Sequence, residues 1–129
     1  MAEYIAGLDM SVLVMDYDYN APDAEWLEMT HKPFFDIIRK AHPELPIIFV
    51  TSSHGKASHR PRREVVYRTY QAAKAAGDKH VYFVDGYTMH QGRHNDATTV
   101  DGGHPNDLGF LLTAEYLGDM IEQILAGEL

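Results

Sequence analysis

The stretch Pro46-Ile-Ile-Phe-Val-Thr51 decides the fold class, because it is an unbroken apolar run too short to form a typical helix. Two similar runs occur elsewhere, Ser11-Val-Leu-Val-Met15 before it and His80-Val-Tyr-Phe-Val-Asp85 after it. All three are continuously apolar rather than alternating, as in parallel strands that are covered by helices on both faces. The sequence therefore predicts three buried parallel strands.

Helical stretches lie between these runs and after the last one. Apolar residues recur at helical spacing in residues 23 to 41 and 61 to 76, and again from Asn106 to about Leu125. Pro33 falls inside the first stretch, where it predicts a kink or the start of a second helix.

Three residues indicate where the later helices begin and end. Pro61 suits the first turn of a helix, Gly77 suits a C-terminal cap, and Asn106 suits an N-cap. Strands that alternate with helices predict βαβ units with right-handed crossovers. The expected fold is α/β, a three-layer sandwich around a short parallel sheet, in one domain over residues 1–129.

Composition and charge narrow the functional class. Of the 129 residues, 45% are apolar and 23% are charged, which is ordinary for a globular protein. The net charge of −8 argues against a nucleic-acid binder, and no apolar run is long enough for a membrane span. Without cysteine there is no thiolate chemistry. The first residues lack signal-peptide features, so the expected location is the cytoplasm, or secretion with a leader removed.

Some polar and aromatic residues are assigned by pattern alone. The basic stretch from His54 to Arg63 reads either as a solvated loop before a helix or as a loop that holds an anionic substrate group. We expect three histidines at the surface, namely His31, His42 and His59. We expect three aromatic residues in the core because of their helical spacing, namely Trp26, Phe34 and Phe35.

Ligands of doubly wound sheets bind beyond the carboxyl ends of the strands, where the segment 85–104 lies. This segment ends with Asp101-Gly-Gly-His104. A carboxylate three residues before a histidine can accept the proton of one ring nitrogen and leave the other as a general base. The spacing alone is a weak signal, but its place before the last helix favours a catalytic pair.

Asn20 follows the first predicted strand, in the sequence Asp16-Tyr-Asp-Tyr-Asn20. A side-chain amide at this edge of the sheet can donate to an oxyanion. The alternative is a turn in which the Asn20 side chain caps the backbone amides that follow. Local sequence leaves both open.

The two segments together resemble a known family. Leu13-Val-Met-Asp-Tyr-Asp-Tyr-Asn-Ala-Pro22 and Val100-Asp-Gly-Gly-His-Pro-Asn-Asp-Leu-Gly109 are similar to the asparagine block and the terminal block of SGNH (GDSL-type) serine ester hydrolases. The intervening segments Glu44-Leu-Pro-Ile-Ile-Phe and Ala76-Gly-Asp-Lys-His-Val-Tyr-Phe-Val-Asp85 resemble the GDSL-like subfamily as well.

The resemblance implies a flavodoxin-like sheet and hydrolysis of a carboxylic ester, either an acyl or an acetyl ester of a carbohydrate or lipid. His104 would be the general base, Asp101 its orienting partner, and Asn20 an oxyanion donor. No cofactor and no metal would be required.

The sequence departs from the family in its nucleophile, because no Gly-Asp-Ser occurs in these residues. The chain therefore resembles the C-terminal part of the family domain, as a truncated, split or degenerate member. The strand at 11–15 would lose one neighbour, which predicts self-association or binding of a complementary N-terminal fragment. Ser52 and Ser53 follow the second strand and are the alternative serines, although the family uses neither position.

Two other functional classes stay open. One is a binding module that kept the cleft and lost the nucleophile. The other is a metal-dependent hydrolase that uses the histidines and carboxylates of one loop, although no metal-ligand signature occurs there. The residues concerned are His90, His94, Asp96, Asp101 and His104.

Overall fold

The computed structural model describes residues 1–53, 59–91 and 97–129. The predicted strands and helices occur along them in the predicted order, together with two short helices, at the N-terminus and after the third strand, that the sequence did not predict. In chain order they are α1 (Ala2–Ala6), β1 (Leu13–Met15), α2 (Ala24–Ala41), β2 (Ile47–Val50), α3 (Arg60–Ala75), β3 (Val81–Val84), α4 (Gly86–Met89) and α5 (Asp107–Ala126). Each strand is shorter than the apolar run that predicted it, because the outer residues of each run lie beyond the ladder of paired residues.

The three strands form one parallel sheet in the order β1-β2-β3. Successive side chains of β2 point to opposite faces of the sheet. Ile47 and Phe49 pack in a core beneath α2 and α3, whereas Ile48 and Val50 pack in a second core that contains Ile124 of α5. The sheet therefore has helices on both faces, which confirms the predicted three-layer α/β sandwich.

Helix α2 is continuous through Pro33, so the predicted second helix start is wrong. Proline removes the backbone N–H that would bond to the preceding turn. Pro33 is exposed, so the carbonyl group of the preceding turn that lacks its N–H donor is within reach of water. Leu27 and Ile38, on the opposite side, are fully buried and hold both halves of the helix on the sheet.

The predicted ends of α3 and α5 are confirmed. Pro61 lies in the first turn of α3. Gly77, at a φ of 88°, follows the helix, and the N–H groups of Gly77 and Asp78 donate to the carbonyls of Lys74 and Ala73 at 3.0 and 3.1 Å. This pair of bonds is the Schellman arrangement that favours glycine. Asn106 caps α5 by accepting the N–H of Gly109 at 3.1 Å.

Two of the three histidines expected at the surface are buried. His31 is 1% exposed; its Nδ1 lies 2.9 Å from Thr69 Oγ1, and its ring stacks on Tyr17. His59 is also buried, and its ring stacks on Tyr19. The surface prediction failed because a hydrogen-bond partner from another helix, as for His31, makes an imidazole acceptable in a core.

His42 is half-buried, with Nε2 lying 2.8 Å from the carbonyl of Ala6. The core prediction for the aromatic residues holds for Phe35, which is buried. Phe34 is only partly buried, and the prediction is wrong for Trp26, which is 41% exposed. Within the described residues, no helix is both long enough and apolar enough to cross a membrane.

Candidate active site

The turn that follows β1 is anchored to the end of β2. Its backbone is closed by the N–H of Asn20, which donates to Tyr17 at 3.2 Å, and by that of Ala21, which donates to Asp18 at 3.3 Å. The buried carboxylate of Asp18 accepts the N–H of Ser52 through Oδ2 at 3.0 Å. This bond fixes Tyr19 and Asn20, which project from the turn, relative to the sheet.

The neighbours of Asp18 offset part of the effect of burial on its charge. Burial raises the pKa of its carboxyl group, and the N–H groups of Ser52 and Tyr19 and the positive charges of His59 and Arg62 oppose that rise. Arg62 also donates to the carbonyls of Ala21 and Pro22 at 3.0 and 2.8 Å. The end of the turn is therefore held from α3 as well as from β2.

The loop that enters α5 is organised by Asn106. Its side-chain amide donates to the carbonyl of Ala97 at 2.7 Å, and its backbone N–H donates to that of Thr98 at 3.0 Å. Gly109 lies against the same backbone, where an added Cβ atom would be 2.3 Å from the oxygen of Thr98. The sequence His-Pro-Asn-Asp-Leu-Gly thus has a structural reason for its asparagine and its glycine.

Asp101 and His104 form a compact pair on this loop. His104 Nδ1 lies 2.7 Å from Asp101 Oδ2, and Asp101 Oδ1 accepts the N–H groups of His104 at 2.7 Å and Gly103 at 2.8 Å. The backbone N–H of His104, followed by its ring, holds the pKa of Asp101 down to about 2. With an ionised acceptor at Nδ1, the proton of a neutral imidazole is favoured on Nδ1, and Nε2 keeps its lone pair.

A cleft of about 260 Å³ at the carboxyl end of the sheet brings the predicted residues together. His104 and Asn20 both line it, and Asp101 holds His104 through the bond at Nδ1. Ser52 and Ser53 also line this cleft. Ser52 is buried and its backbone is bound to Asp18, while Ser53 is partly buried.

Two cleft residues were missed by sequence reasoning. The ring of Tyr19 packs edge-to-face against that of His104, with 5.7 Å between centroids. Asp16 lines the cleft. Desolvation of its carboxyl group, and then the nearby charge of Asp18, raises the pKa of Asp16 to about 6, although the residue as a whole is exposed. Both belong to the segment that follows the first predicted strand, so their position after that strand was the signal that could have identified them.

The loop considered for a metal site is only partly described, since His94 and Asp96 lie outside the described residues. Within the described ranges, no group of three potential metal ligands occurs. His90 is buried, and its Nε2 lies 2.9 Å from Thr113 Oγ1. Burial lowers the pKa of His90, and a hydrogen bond with the backbone of Gly109 opposes that effect.

The basic stretch is also partly described, since residues 54–58 lie outside the described ranges. Of its arginines, Arg62 binds the turn after β1, and Arg63 forms an ion pair with Asp85 at the end of β3. Arg60 lies 3.4 Å from Glu64 across one turn of α3. These contacts tie the described part of the stretch to the protein itself.

A parallel α/β sandwich with a His-Asp pair at the carboxyl end of its sheet is an arrangement that hydrolases use. The chain belongs to the GDSL-like lipase/acylhydrolase family, whose model matches residues 1–122. That family is of esterase or acylhydrolase type. No curated protein matches the chain significantly.

Solved structures share the fold. A putative GDSL-like lipase from Bacteroides ovatus is 25% identical and superimposes with a TM-score of 0.82 over 97% of this chain and 39% of that protein. A family two carbohydrate esterase from Clostridium thermocellum, solved as an active-site mutant, is 20% identical, with a TM-score of 0.72 over 95% of this chain and 38% of the esterase.

The salicylyl-acyltransferase SsfX3 of a tetracycline biosynthetic pathway is 22% identical, with a TM-score of 0.70 over 88% of this chain and 37% of that enzyme. The chain thus spans less than two-fifths of the length of each of these structures.

Proposed function

We propose that the described cleft is the acid–base half of a carboxylic ester hydrolase that works by a Ser-His-Asp mechanism. His104 is the general base, Asp101 orients it, and Asn20 donates to the oxyanion. The observation that carries this proposal is the 2.7 Å contact between His104 Nδ1 and Asp101 Oδ2, beside a cleft that Asn20 also lines. The nucleophilic serine is supplied from outside these 129 residues, which contain no Gly-Asp-Ser.

The chemistry follows from the positions of the protons. Nε2 of His104 removes the proton of the serine hydroxyl while the serine oxygen forms a bond to the carbonyl carbon of the ester. The carbonyl oxygen becomes an oxyanion, to which the Asn20 amide donates. When the bond to the alcohol breaks, His104 returns the proton to the leaving oxygen. Water then repeats the sequence on the acyl-serine, releasing the carboxylic acid and regenerating the serine.

The ester would carry an acetyl or a larger acyl group. The alcohol that carries the acyl group would be a carbohydrate or a lipid. The structural similarity to a carbohydrate esterase is consistent with the former. The chemistry requires no cofactor.

We propose that the segment bearing the serine binds at the open edge of the sheet. The N–H of Leu13 donates to Pro46 on the β2 side, so the N–H and C=O of Val14 point to the opposite side. Among the described residues, no strand pairs with β1 there. An apolar groove of about 410 Å³, which Leu13 and Trp26 help to line, lies beside β1.

Asp16 lines both this groove and the catalytic cleft, so a segment bound in the groove would also reach the cleft. We therefore propose that residues 1–129 form one domain-like unit, which is completed at this edge by an N-terminal segment bearing the serine. A second copy of the chain is the alternative occupant, because unpaired edges also promote self-association.

A catalytically inactive binding module is the second candidate function, and the absence of Gly-Asp-Ser favours it directly. Labelling with a fluorophosphonate probe separates the two. Co-expression with the segment encoded upstream of Met1 should produce a labelled serine and an esterase activity that is lost in His104→Ala. If that segment contains no Gly-Asp-Ser and no label appears, the binding module is the correct assignment.

The isolated chain gives a complementary test. It should hydrolyse a nitrophenyl ester no faster than its His104→Ala variant, because the attacking serine is missing. Turnover by the isolated chain that depends on His104 would contradict the proposed serine source. It would point to Ser52 or Ser53, which line the same cleft.

A further inference from the structure

The turn that carries His104 is held mainly by bonds within itself. The N–H of Val100 donates to the carbonyl of His104 at 2.9 Å, and Asp101 accepts from the backbone and lies against the ring of His104. These partners move with the turn, so they fix its shape and favour one tautomer of the ring. None of these partners attaches the exposed ring to the β1 side of the cleft.

The ring of Tyr19 supplies a contact from a distant part of the chain. Its centroid lies 5.7 Å from that of His104, and the two planes are at 87°. The same ring stacks on that of His59, with 5.4 Å between centroids and 17° between planes. Aromatic rings attract each other in edge-to-face and stacked arrangements of this kind. Because His59 is buried at the start of α3, its stacking contact restrains one face of the Tyr19 ring.

Two further contacts support this placement. An added Cβ atom at Gly103 would lie 3.1 Å from Tyr19 Oη, so the backbone beside His104 packs closely against the Tyr19 hydroxyl. The turn that carries Tyr19 is itself pinned by the bond from Ser52 N–H to Asp18. A chain of contacts therefore connects the end of β2 to His104 through Tyr19.

We infer that Tyr19 is the positioning residue of the general base, holding the His104 ring against the cleft while Asp101 selects its tautomer. The inference rests on the proposed function only for the role of His104 as a base. The two tasks are separable, because one partner lies within the turn and the other approaches from β1. Substituting either residue should disturb one property of the ring and preserve the other.

The experiment uses nuclear magnetic resonance on the 129-residue chain and its variants, without any added segment and with isotope-labelled histidine. Three-bond couplings report the side-chain rotamer of His104, and ring ¹⁵N shifts report its tautomer. In Tyr19→Leu, the population of the rotamer that places the ring against the cleft should fall, while the rotamers that still meet Asp101 retain the tautomer. Tyr19→Phe, which keeps the ring, should restore the rotamer. Asp101→Asn should do the reverse, changing the tautomer and keeping nuclear Overhauser contacts between residues 19 and 104.

An unchanged rotamer population of His104 in folded Tyr19→Leu would overturn the inference. If Tyr19→Leu does not fold, Tyr19→Met gives the same decision. In the enzyme completed with its serine segment, Tyr19→Leu should lower kcat by roughly 10- to 100-fold with little change in KM. Tyr19→Phe should recover most of that loss. Because the resonance measurements need no nucleophile, absence of esterase activity would count against the proposed function without affecting them.

Discussion

Asp101 uses both of its carboxylate oxygens on His104, with Oδ2 lying 2.7 Å from the ring nitrogen Nδ1 and Oδ1 accepting the backbone N–H at 2.7 Å. One carboxylate therefore shapes the turn and favours one tautomer of the imidazole at the same time. The low pKa of Asp101, about 2, keeps this carboxylate ionised throughout the neutral range. Its effect on the ring can be measured without any catalytic assay.

We expect Asp101→Asn to lose the preference of neutral His104 for a proton on Nδ1, because the replacement removes the charge that stabilises this N–H. Imidazole ¹⁵N shifts measure the tautomer directly. Asp107→Asn is the matched control, since Asp107 is an exposed carboxylate in the first turn of α5. If Asp101→Asn keeps the same tautomer ratio as the unsubstituted chain, Asp101 does not set the tautomer of the ring.

The stability of the protein should depend on pH through His31. Burial lowers its pKa from 6.5 to about 4, so the unfolded chain binds more protons between these pH values. The free energy of unfolding should therefore fall as the pH decreases through this window, by about 3 kcal/mol from this residue.

Denaturant titrations at several pH values give the free energy of unfolding at each pH. In His31→Leu, this free energy should depend less steeply on pH. Thr69→Val removes the hydroxyl beside Nδ1 but leaves the ring buried, so most of the slope should remain. The assignment would be wrong if His31→Leu and the unsubstituted chain lost stability equally on acidification.

The two glycines of α5 should respond oppositely to alanine. At Gly109 a Cβ atom would lie 2.3 Å from the oxygen of Thr98, so we expect destabilisation by roughly 1–3 kcal/mol and displacement of the loop that carries His104. At Gly118 nothing lies within 4 Å, and alanine should stabilise the helix by about 1 kcal/mol. Thermal unfolding measures both changes. Equal effects at the two positions would contradict the close approach at Gly109.

Association through the open edge of β1 can be tested with a pair of proline variants. Val14→Pro removes an N–H that points away from β2, so the chain should stay folded and associate less. Leu13→Pro removes the N–H that donates to Pro46 at 2.9 Å and should instead reduce the free energy of unfolding. Sedimentation and circular dichroism separate the two effects. A folded, strictly monomeric chain at high concentration would argue against a self-associating edge.

Much of the fold is local in origin, which is why it could be predicted. The three apolar runs became strands, and Pro61, Gly77 and Asn106 mark the helix ends as expected. Strand preference, capping and turn chemistry act over a few residues, so each is visible in a short stretch of sequence. At Pro33 the local sequence left a second helix start or a kink open, and packing on the sheet decided for one continuous helix.

The candidate site divides in the same way. The sequence by itself determined the approach of Asp101 to His104, because a spacing of three residues on a glycine-rich turn brings the two side chains together. The rule that ligands bind beyond the carboxyl ends of the strands also predicted that Asn20 and His104 lie at the same edge of the sheet, where they line one cleft. The tertiary structure alone decided that Tyr19 packs against the His104 ring and that His31 is buried. These relationships join residues far apart in the chain, and they depend on how the helices and turns pack around the sheet. Such packing is a property of the assembled core and cannot be read from any one segment.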